Sequence, residues 1–187
     1  MKEREDFIKN MAELNSSDLI FIDESGTNLG FTRLYGRTKV GDRVHDSKPK
    51  NEGKNLTLIG AISLTGVLAS MTVEGGVKKE VFYAYIEQVL LPELEFGKIV
   101  LMDNLSSHKS ILIEELIKSK GAKLIYLPRY SPDLNPIELC WSKVKAYLRL
   151  KKARTKELLE TSIAQALELV TGENCQGWFG HCGYNAN

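Results

Sequence analysis

The sequence predicts an α/β protein built on a mixed β-sheet, and three patterns lead to that prediction. Two apolar runs flank the dipeptide Thr65-Gly66, a pattern typical of an antiparallel hairpin with a two-residue turn. Further along, short apolar runs alternate with segments whose apolar residues recur every three or four positions. A hairpin-rich half followed by alternating strands and helices indicates a sheet covered by helices, and it argues against a bundle or a sandwich.

Each element follows from a local pattern. Residues 18–22 read DLIFI, a buried-strand run that the turn-forming letters DESG would close. Residues 31–40 give a weaker strand prediction, and the Gly, Pro, Asn and Asp residues of 40–55 predict a polar loop. The final letters, QGWFGHCGYNAN, show no clear period. The remaining predicted elements, in chain order, are the hairpin strands at 56–64 and 67–73, a helix at about 78–91, a strand at 99–102, a helix at about 111–120, a strand at 123–127, and helices at about 136–150 and 156–170.

Composition excludes several classes of protein. The 187 residues include 25 Lys and Arg against 24 Asp and Glu, and the resulting net charge of +1 excludes a histone-like polycation or an acidic tail protein. Nucleic-acid binding stays open because it depends on local charge. Three cysteines without a Cys-x-x-Cys pair argue against a disulfide framework or a zinc ribbon. With no long apolar run and a charged N-terminus, MKEREDFIKN, we expect a soluble cytoplasmic protein with no membrane partner.

Three acidic residues stand where catalytic groups collect. Asp23 and Asp103 each follow a predicted strand, and Glu138 lies in the first turn of a later helix. Because sites in α/β sheets gather at the carboxyl ends of strands, the three side chains can converge. Three carboxylates repel one another unless cations lie between them, and oxygen ligands favour Mg²⁺ or Mn²⁺. Two ions about 4 Å apart would suit phosphoryl transfer.

Structural roles for these acids stay open at this point. An acid after a strand is often a turn or cap residue. Asn135 is a good N-cap and Pro136 a good first helical residue, so Glu138 could reach back as in a capping box. Asp133 competes with Glu138 as the third acid, although its Ser-Pro-Asp setting favours a role in a turn.

The letters around the acids carry a resemblance. FIDESG, LMDN followed by SSHKS, and LPRYSPDLNPIELCWSKVK resemble the catalytic domain of bacterial insertion-sequence transposases allied to the mariner superfamily. The 34 residues between Asp103 and Glu138 match the spacing of the bacterial branch. The resemblance implies a ribonuclease H-like fold, with a five-stranded mixed sheet flanked by helices. It also implies that Asp23, Asp103 and Glu138 are the catalytic acids, holding Mg²⁺ or Mn²⁺, with two ions expected.

The same resemblance implies a reaction and partners. The reaction would be metal-dependent cleavage at transposon ends, followed by attack of the freed 3′-hydroxyl on target DNA, typically at a TA dinucleotide. The expected partners are DNA and either a second copy of the chain or a full-length transposase, in the cytoplasm and on the nucleoid when DNA is bound. The alternative is a non-catalytic DNA-binding or regulatory fragment of a transposase.

Family members carry an N-terminal helix-turn-helix region, for which the lead-in before the first predicted strand is too short. We therefore expect a lead-in at 1–17, a catalytic domain at 18–172 and a tail packed on that domain at 173–187.

Two residues after Asp103 are candidates for supporting the metal ligands. In the family an Asp-Asn pair is followed by a nearby His, here Asn104 and His108. The resemblance implies that Asn104 orients a ligand and that His108 contacts phosphate or a bound water. Capping of the following helix is an alternative role for Asn104.

DNA contacts are expected in the loop before Glu138 and along its helix. Tyr130 could stack on a flipped or frayed base, or pack against its own loop, which also holds Asn135. From Lys143 to Lys156 the chain has seven basic residues and no acid. Lys145 and Arg149 share the helical stripe of Glu138. They would bind phosphates of the DNA backbone where it leaves the site, or they would form an ordinary solvated helix face. Residues 33–43 hold a second, weaker basic cluster.

Overall fold

Residues 2–104 and 110–184 are described by the structure, a computed structural model. A five-stranded sheet lies at its centre, in the strand order β3-β2-β1-β4-β5. The strands are β1 (Leu19–Thr27), β2 (Leu56–Ser63), β3 (Gly66–Glu74), β4 (Ile99–Met102) and β5 (Lys123–Tyr126). The α-helices are α1 (Lys2–Met11), α2 (Lys79–Tyr85), α3 (Ile111–Ser119), α4 (Ile137–Lys151), α5 (Lys156–Glu168) and α6 (Gly172–His181).

Pairing in the sheet is mixed. β1, β2 and β3 are antiparallel neighbours, whereas β4 runs parallel to β1 and β5 runs parallel to β4. This confirms the predicted five-stranded mixed sheet. Alternation along each strand divides the core into two layers. Leu19 and Phe21 pack with helices α4, α5 and α6, while Ile20 and Ile22 pack with α2 and α3.

Strand β1 is longer than predicted. The letters DESG form no turn, because β2 provides antiparallel partners as far as the pair Thr27 and Leu56. On the other side of β1, pairing with β4 stops at Ile22 and Met102. Pairing with a neighbour has overridden the local turn preference. Asp23 therefore lies inside β1 but just beyond the end of its parallel ladder.

Other elements also depart from their predictions. Residues 31–40 form no strand; instead, the Arg154 guanidinium donates hydrogen bonds to the carbonyls of Leu29 and Phe31 and holds this segment against the end of α4. The helix predicted at 78–91 is α-helical only over α2, and it continues as a π-helical turn at Ile86–Leu90 and a 3₁₀ turn at Leu91–Glu93. Pro92 lies in that last turn, since proline cannot continue an α-helix.

The C-terminal residues form a helix that the sequence pattern did not reveal. Helix α6 begins with a capping box, in which Thr171 and Asn174 satisfy each other's backbone N–H groups. Its residues Cys175 and Phe179 are buried in the layer beneath α4. Three glycines within α6 weaken its local helical signal, so packing on the domain decides its conformation. Within the described residues, none of the helices has the length and apolarity needed to span a membrane.

Tyr184 ties the C-terminal segment to the loop that precedes α4. Its ring packs on Phe21, and its buried hydroxyl donates a 2.7 Å hydrogen bond to the carbonyl of Leu134.

We expect Tyr184→Phe to lower the free energy of unfolding by about 1–2 kcal/mol, because the buried carbonyl loses its donor. Urea denaturation measures this effect. Tyr35→Phe is the control, since that side chain is 90% exposed. Equal stabilities of the two variants would contradict the assignment.

Candidate active site

The register of the sheet places the first two acids side by side. Ile22 pairs with Met102 in the parallel ladder, so Asp23 and Asp103 are the next residues on neighbouring strands. Alternation directs Asp23 to the same layer as Phe21, which is the layer that α4 covers. Glu138 is the second residue of α4 and approaches from that side.

One cleft of about 360 Å³ contains all three acids. Asp23 and Asp103 line it from the sheet, and Glu138 lines it from α4. The structure therefore brings together the residues that the sequence pattern selected. The other lining residues are Asn104, Leu127, Pro128, Arg129, Tyr130, Ser131, Pro132 and Asn135.

Burial and nearby negative charges make the ionised form of Asp23 unfavourable. The pKa of its carboxyl group is raised to about 7, chiefly by burial and also by the negative charges of Glu138 and Asp103. Hydrogen bonds from the Glu24 backbone amide and from the Trp141 side chain partly oppose that rise. A site that disfavours its own negative charge in this way is one that a bound cation would stabilise.

Two amide oxygens in the cleft add to its acceptor character. The Oδ1 atoms of Asn104 and Asn135 are buried and accept no hydrogen bond within the described part of the chain. Asn135 is only 4% exposed, so an acceptor without a donor there is costly. Together with the three carboxylates they form an all-oxygen donor set that fits Mg²⁺ or Mn²⁺, and Mg²⁺ usually keeps several waters that can donate to such oxygens.

The three acids line the cleft without forming a compact cluster of metal ligands. Over residues 2–104 and 110–184, no three acidic, histidine or cysteine side chains are gathered closely enough to hold an ion.

The capping-box alternative for Glu138 is wrong. The backbone N–H of Asn135 donates to the carbonyl of Pro132, so Glu138 does not satisfy it. Among the described residues, the side-chain oxygen of Asn135 has no donor, and no side chain caps the start of α4. Neither half of a capping box is present, and Glu138 is left exposed on the cleft.

Asp133, the competing acid, lies outside the cleft lining. Its carboxylate oxygens accept hydrogen bonds from both terminal nitrogens of Arg4 in α1. These hydrogen bonds hold the pKa of Asp133 below its usual range. The ion pair fastens α1 to the loop before α4, and it gives Asp133 a structural partner that Glu138 lacks in the described residues.

The remaining candidates have different placements. Tyr130 lies at the rim of the cleft with a left-handed backbone (φ 56°) and a side chain that is 99% exposed, so it does not pack against its own loop. Lys145 and Arg149 are half-buried on α4, outside the cleft lining, and the guanidinium of Arg149 lies 5.4 Å from the centre of the Phe31 ring. His108 falls outside the described residues.

Much of the basic segment from Lys143 to Lys156 has intramolecular partners. Lys143 donates to Asn174 and to the carbonyl of Leu169, and Lys152 pairs with Asp46. These contacts fasten α4 to α6 and to the long segment between β1 and β2. They reduce the number of cations free to bind phosphate.

Sequence reasoning missed Trp141 as a residue of the site. Its apolar spacing indicates a core residue of α4, and it is buried as expected. In addition, its indole N–H donates a hydrogen bond to Asp23. Its position three residues after Glu138 was the available signal, since that spacing places two side chains on one helix face.

Comparisons with known proteins agree with this geometry. A family model described as DDE superfamily endonuclease matches residues 18–160. The Tcb2 transposable-element transposase of Caenorhabditis briggsae is 29% identical over 140 residues, which are 70% of this chain and 51% of that protein. The chain thus spans about half the length of this curated relative.

Solved structures give the fold. The Mos1 transposase paired-end complex with the left transposon end superimposes with a TM-score of 0.78 at 16% identity, over 98% of this chain and 57% of that one. The catalytic domain of Mos1 mariner transposase gives 0.67 at 14% identity, over 98% and 85%. These similarities confirm the ribonuclease H-like fold. With the family match covering most of its length, the chain belongs to the DDE superfamily endonucleases and is related to the mariner and Tc1 transposases.

Proposed function

We propose that this chain is a transposase catalytic domain that cleaves DNA strands and joins them to target DNA in a metal-dependent reaction. The observation that carries the proposal is the convergence of Asp23, Asp103 and Glu138 on one cleft. Membership of a DDE endonuclease family supports it. We assign the chain to the bacterial insertion-sequence branch from the spacing of Asp103 and Glu138 alone.

The acids and the two asparagines of the cleft have defined tasks in this proposal. Asp23, Asp103 and Glu138 would hold two Mg²⁺ or Mn²⁺ ions, which when bound activate the attacking oxygen and stabilise the leaving oxygen. Asn104 and Asn135 accept hydrogen bonds from waters brought into the cleft, which satisfies their buried oxygens. Mos1 paired-end complexes have been solved with Mn and with Mg, which supports the choice of ion.

DNA is the proposed partner. The related Mos1 structures include a complex with a transposon end and a strand transfer complex. We extend this to transposon ends and TA-containing target DNA for the present chain, which would act in the cytoplasm as a homodimer or with a full-length transposase. Tyr130 would stack on an unpaired base next to the scissile phosphate, and its exposure at the rim of the cleft supports this role.

A strand-transfer assay tests the proposal directly. A labelled duplex that carries a precut transposon end with a free 3′-hydroxyl is incubated with the chain, a supercoiled plasmid and Mn²⁺ or Mg²⁺. We expect labelled plasmid to form with the metal and to be lost with EDTA. A chain that binds this DNA but never joins it to the plasmid would favour the regulatory-fragment alternative.

The basic side chains on α4 give a second test. The double change Lys145→Ala and Arg149→Ala should weaken DNA binding and reduce the slope of log affinity against log salt by up to about two, roughly one for each lost phosphate contact. Stabilisation by Mn²⁺ should persist, because no metal ligand has changed. Fluorescence anisotropy at several salt concentrations measures the slope.

The control for this test is Lys118→Ala with Lys120→Ala, which removes the same charge near the end of α3, on the opposite face of the sheet. If both double variants keep the original slope, the α4 side chains form a solvated face, and the DNA path crosses another surface, such as residues 33–43.

A further inference from the structure

A buried tryptophan donates a hydrogen bond to one of the three acids. The indole Nε1–H of Trp141 donates a 3.1 Å hydrogen bond to Oδ2 of Asp23, and the Glu24 backbone amide also donates to that carboxylate. Trp141 is 2% exposed, so its N–H would be costly to leave without an acceptor. The carboxylate is therefore held by two donors that come from different elements.

The sheet is shaped to let the indole reach this position. Asp23 pairs with Gly60 of β2 in antiparallel register, so the two residues face the same layer. A Cβ atom at Gly60 would lie 2.6 Å from the Cη2 atom of Trp141. The missing side chain of Gly60 is therefore what allows the ring to lie across β2 beside Asp23.

Helix α4 thus acts on the cleft twice. Glu138 and Trp141 are three residues apart on α4, which corresponds to a rise of about 4.5 Å. Glu138 provides one acid of the cleft, and Trp141 donates a hydrogen bond to Asp23, an acid of the sheet.

We propose that Trp141 is a positioning residue of the site: it fixes Oδ2 of Asp23 through its indole N–H, so that the carboxylate is oriented before a divalent cation binds. The proposal rests on the proposed function only for the identity of that cation. Its tests need no DNA, so they can succeed or fail independently of strand transfer.

The first test uses the indole N–H groups of the full chain in a ¹⁵N–¹H NMR spectrum. The sequence has two tryptophans, and Trp178→Phe assigns the remaining indole peak to Trp141. Without metal, we expect the Trp141 indole proton to exchange slowly and its peak to move in Asp23→Asn, while the Trp178 peak stays in place. An unmoved Trp141 peak in Asp23→Asn would overturn the proposed hydrogen bond.

The second test adds the cation. Mg²⁺ titration should shift the Trp141 indole peak of the parent chain and leave that of Asp23→Asn unchanged. Trp141→Phe, which keeps a ring but loses the donor, should weaken Mn²⁺ binding by about 10- to 100-fold in calorimetry, as for other groups that orient metal ligands. Trp178→Phe should bind Mn²⁺ like the parent. Equal affinity in Trp141→Phe and Trp178→Phe would reduce Trp141 to a core residue.

A glycine pair separates positioning from the loss of ring volume. Gly60→Ala keeps the chemical identity of Trp141 and of Asp23. Its added Cβ atom would push the indole away from Asp23, so this variant should also weaken Mn²⁺ binding. Gly26→Ala is the matched control on β1, because a Cβ atom there meets nothing within 4 Å. Far-ultraviolet circular dichroism checks that each variant is folded. A folded Gly60→Ala chain with parental Mn²⁺ affinity and an unshifted indole peak would overturn the proposal.

Discussion

Replacing Glu138 with glutamine should abolish metal-dependent strand transfer while the fold and DNA binding persist. The change keeps the size of the side chain but removes a negative charge from a cleft whose acids would hold the catalytic ions. Glu138 is exposed and caps no helix, so its loss should cost little stability. The measurement is the yield of joined plasmid from a precut transposon end, and we expect it to fall below detection in Mn²⁺ and in Mg²⁺.

Asp133→Asn is the matched control, since it removes an acid five residues earlier in the same loop region. That acid pairs with Arg4 outside the cleft, so the variant should keep strand transfer and lose some stability. The reverse pattern, with an active Glu138→Gln and an inactive Asp133→Asn, would mean that Asp133 is the third catalytic acid.

Asp23→Asn should stabilise the metal-free protein at pH 8 and change how its stability depends on pH. The carboxyl group of Asp23 has a pKa of about 7 in the folded chain and about 3.9 in an unfolded one. Because the folded state binds this proton more tightly, the group contributes stability below about pH 4, and that contribution is lost as the pH rises through 7. The largest loss is about 4 kcal/mol, and partial exposure to solvent reduces it.

The difference between parent and variant isolates this group from the others. Urea denaturation in EDTA at pH 5 and pH 8 should show the advantage of Asp23→Asn growing with pH. Mn²⁺ should then raise the melting temperature of the parent at pH 8 and have a much smaller effect on the variant, because binding to the native state alone stabilises it. An advantage of Asp23→Asn that is the same at both pH values would show that Asp23 is already ionised at pH 5.

Local sequence patterns predicted most of the sheet and the acids of the site. Hydrophobic alternation and helical spacing depend on residues a few positions apart, so they identified β4, β5, α4 and α5 within a few residues of their observed bounds. The segment YSPDLNPIE pointed to Glu138 through its resemblance to a transposase family.

Register and packing decided what lies between distant segments. Strand β1 continues past Ile22 because β2 offers partners to it, and α6 forms because Phe179 is buried against Phe21, although its own letters show little periodicity.

By itself, then, the sequence determined the fold class through local periodicity. It also selected Asp23, Asp103 and Glu138 as candidate acids, through their positions in the predicted elements and through a family resemblance. Only the tertiary structure decided that Trp141 holds Asp23 across Gly60 and that the amide oxygen of Asn135 is buried in the cleft without a donor from residues 2–104 or 110–184. Both features depend on how segments far apart in the chain pack together. Spacing within α4 places Trp141 on the same helix face as Glu138, but it does not show which residue of the sheet the indole meets.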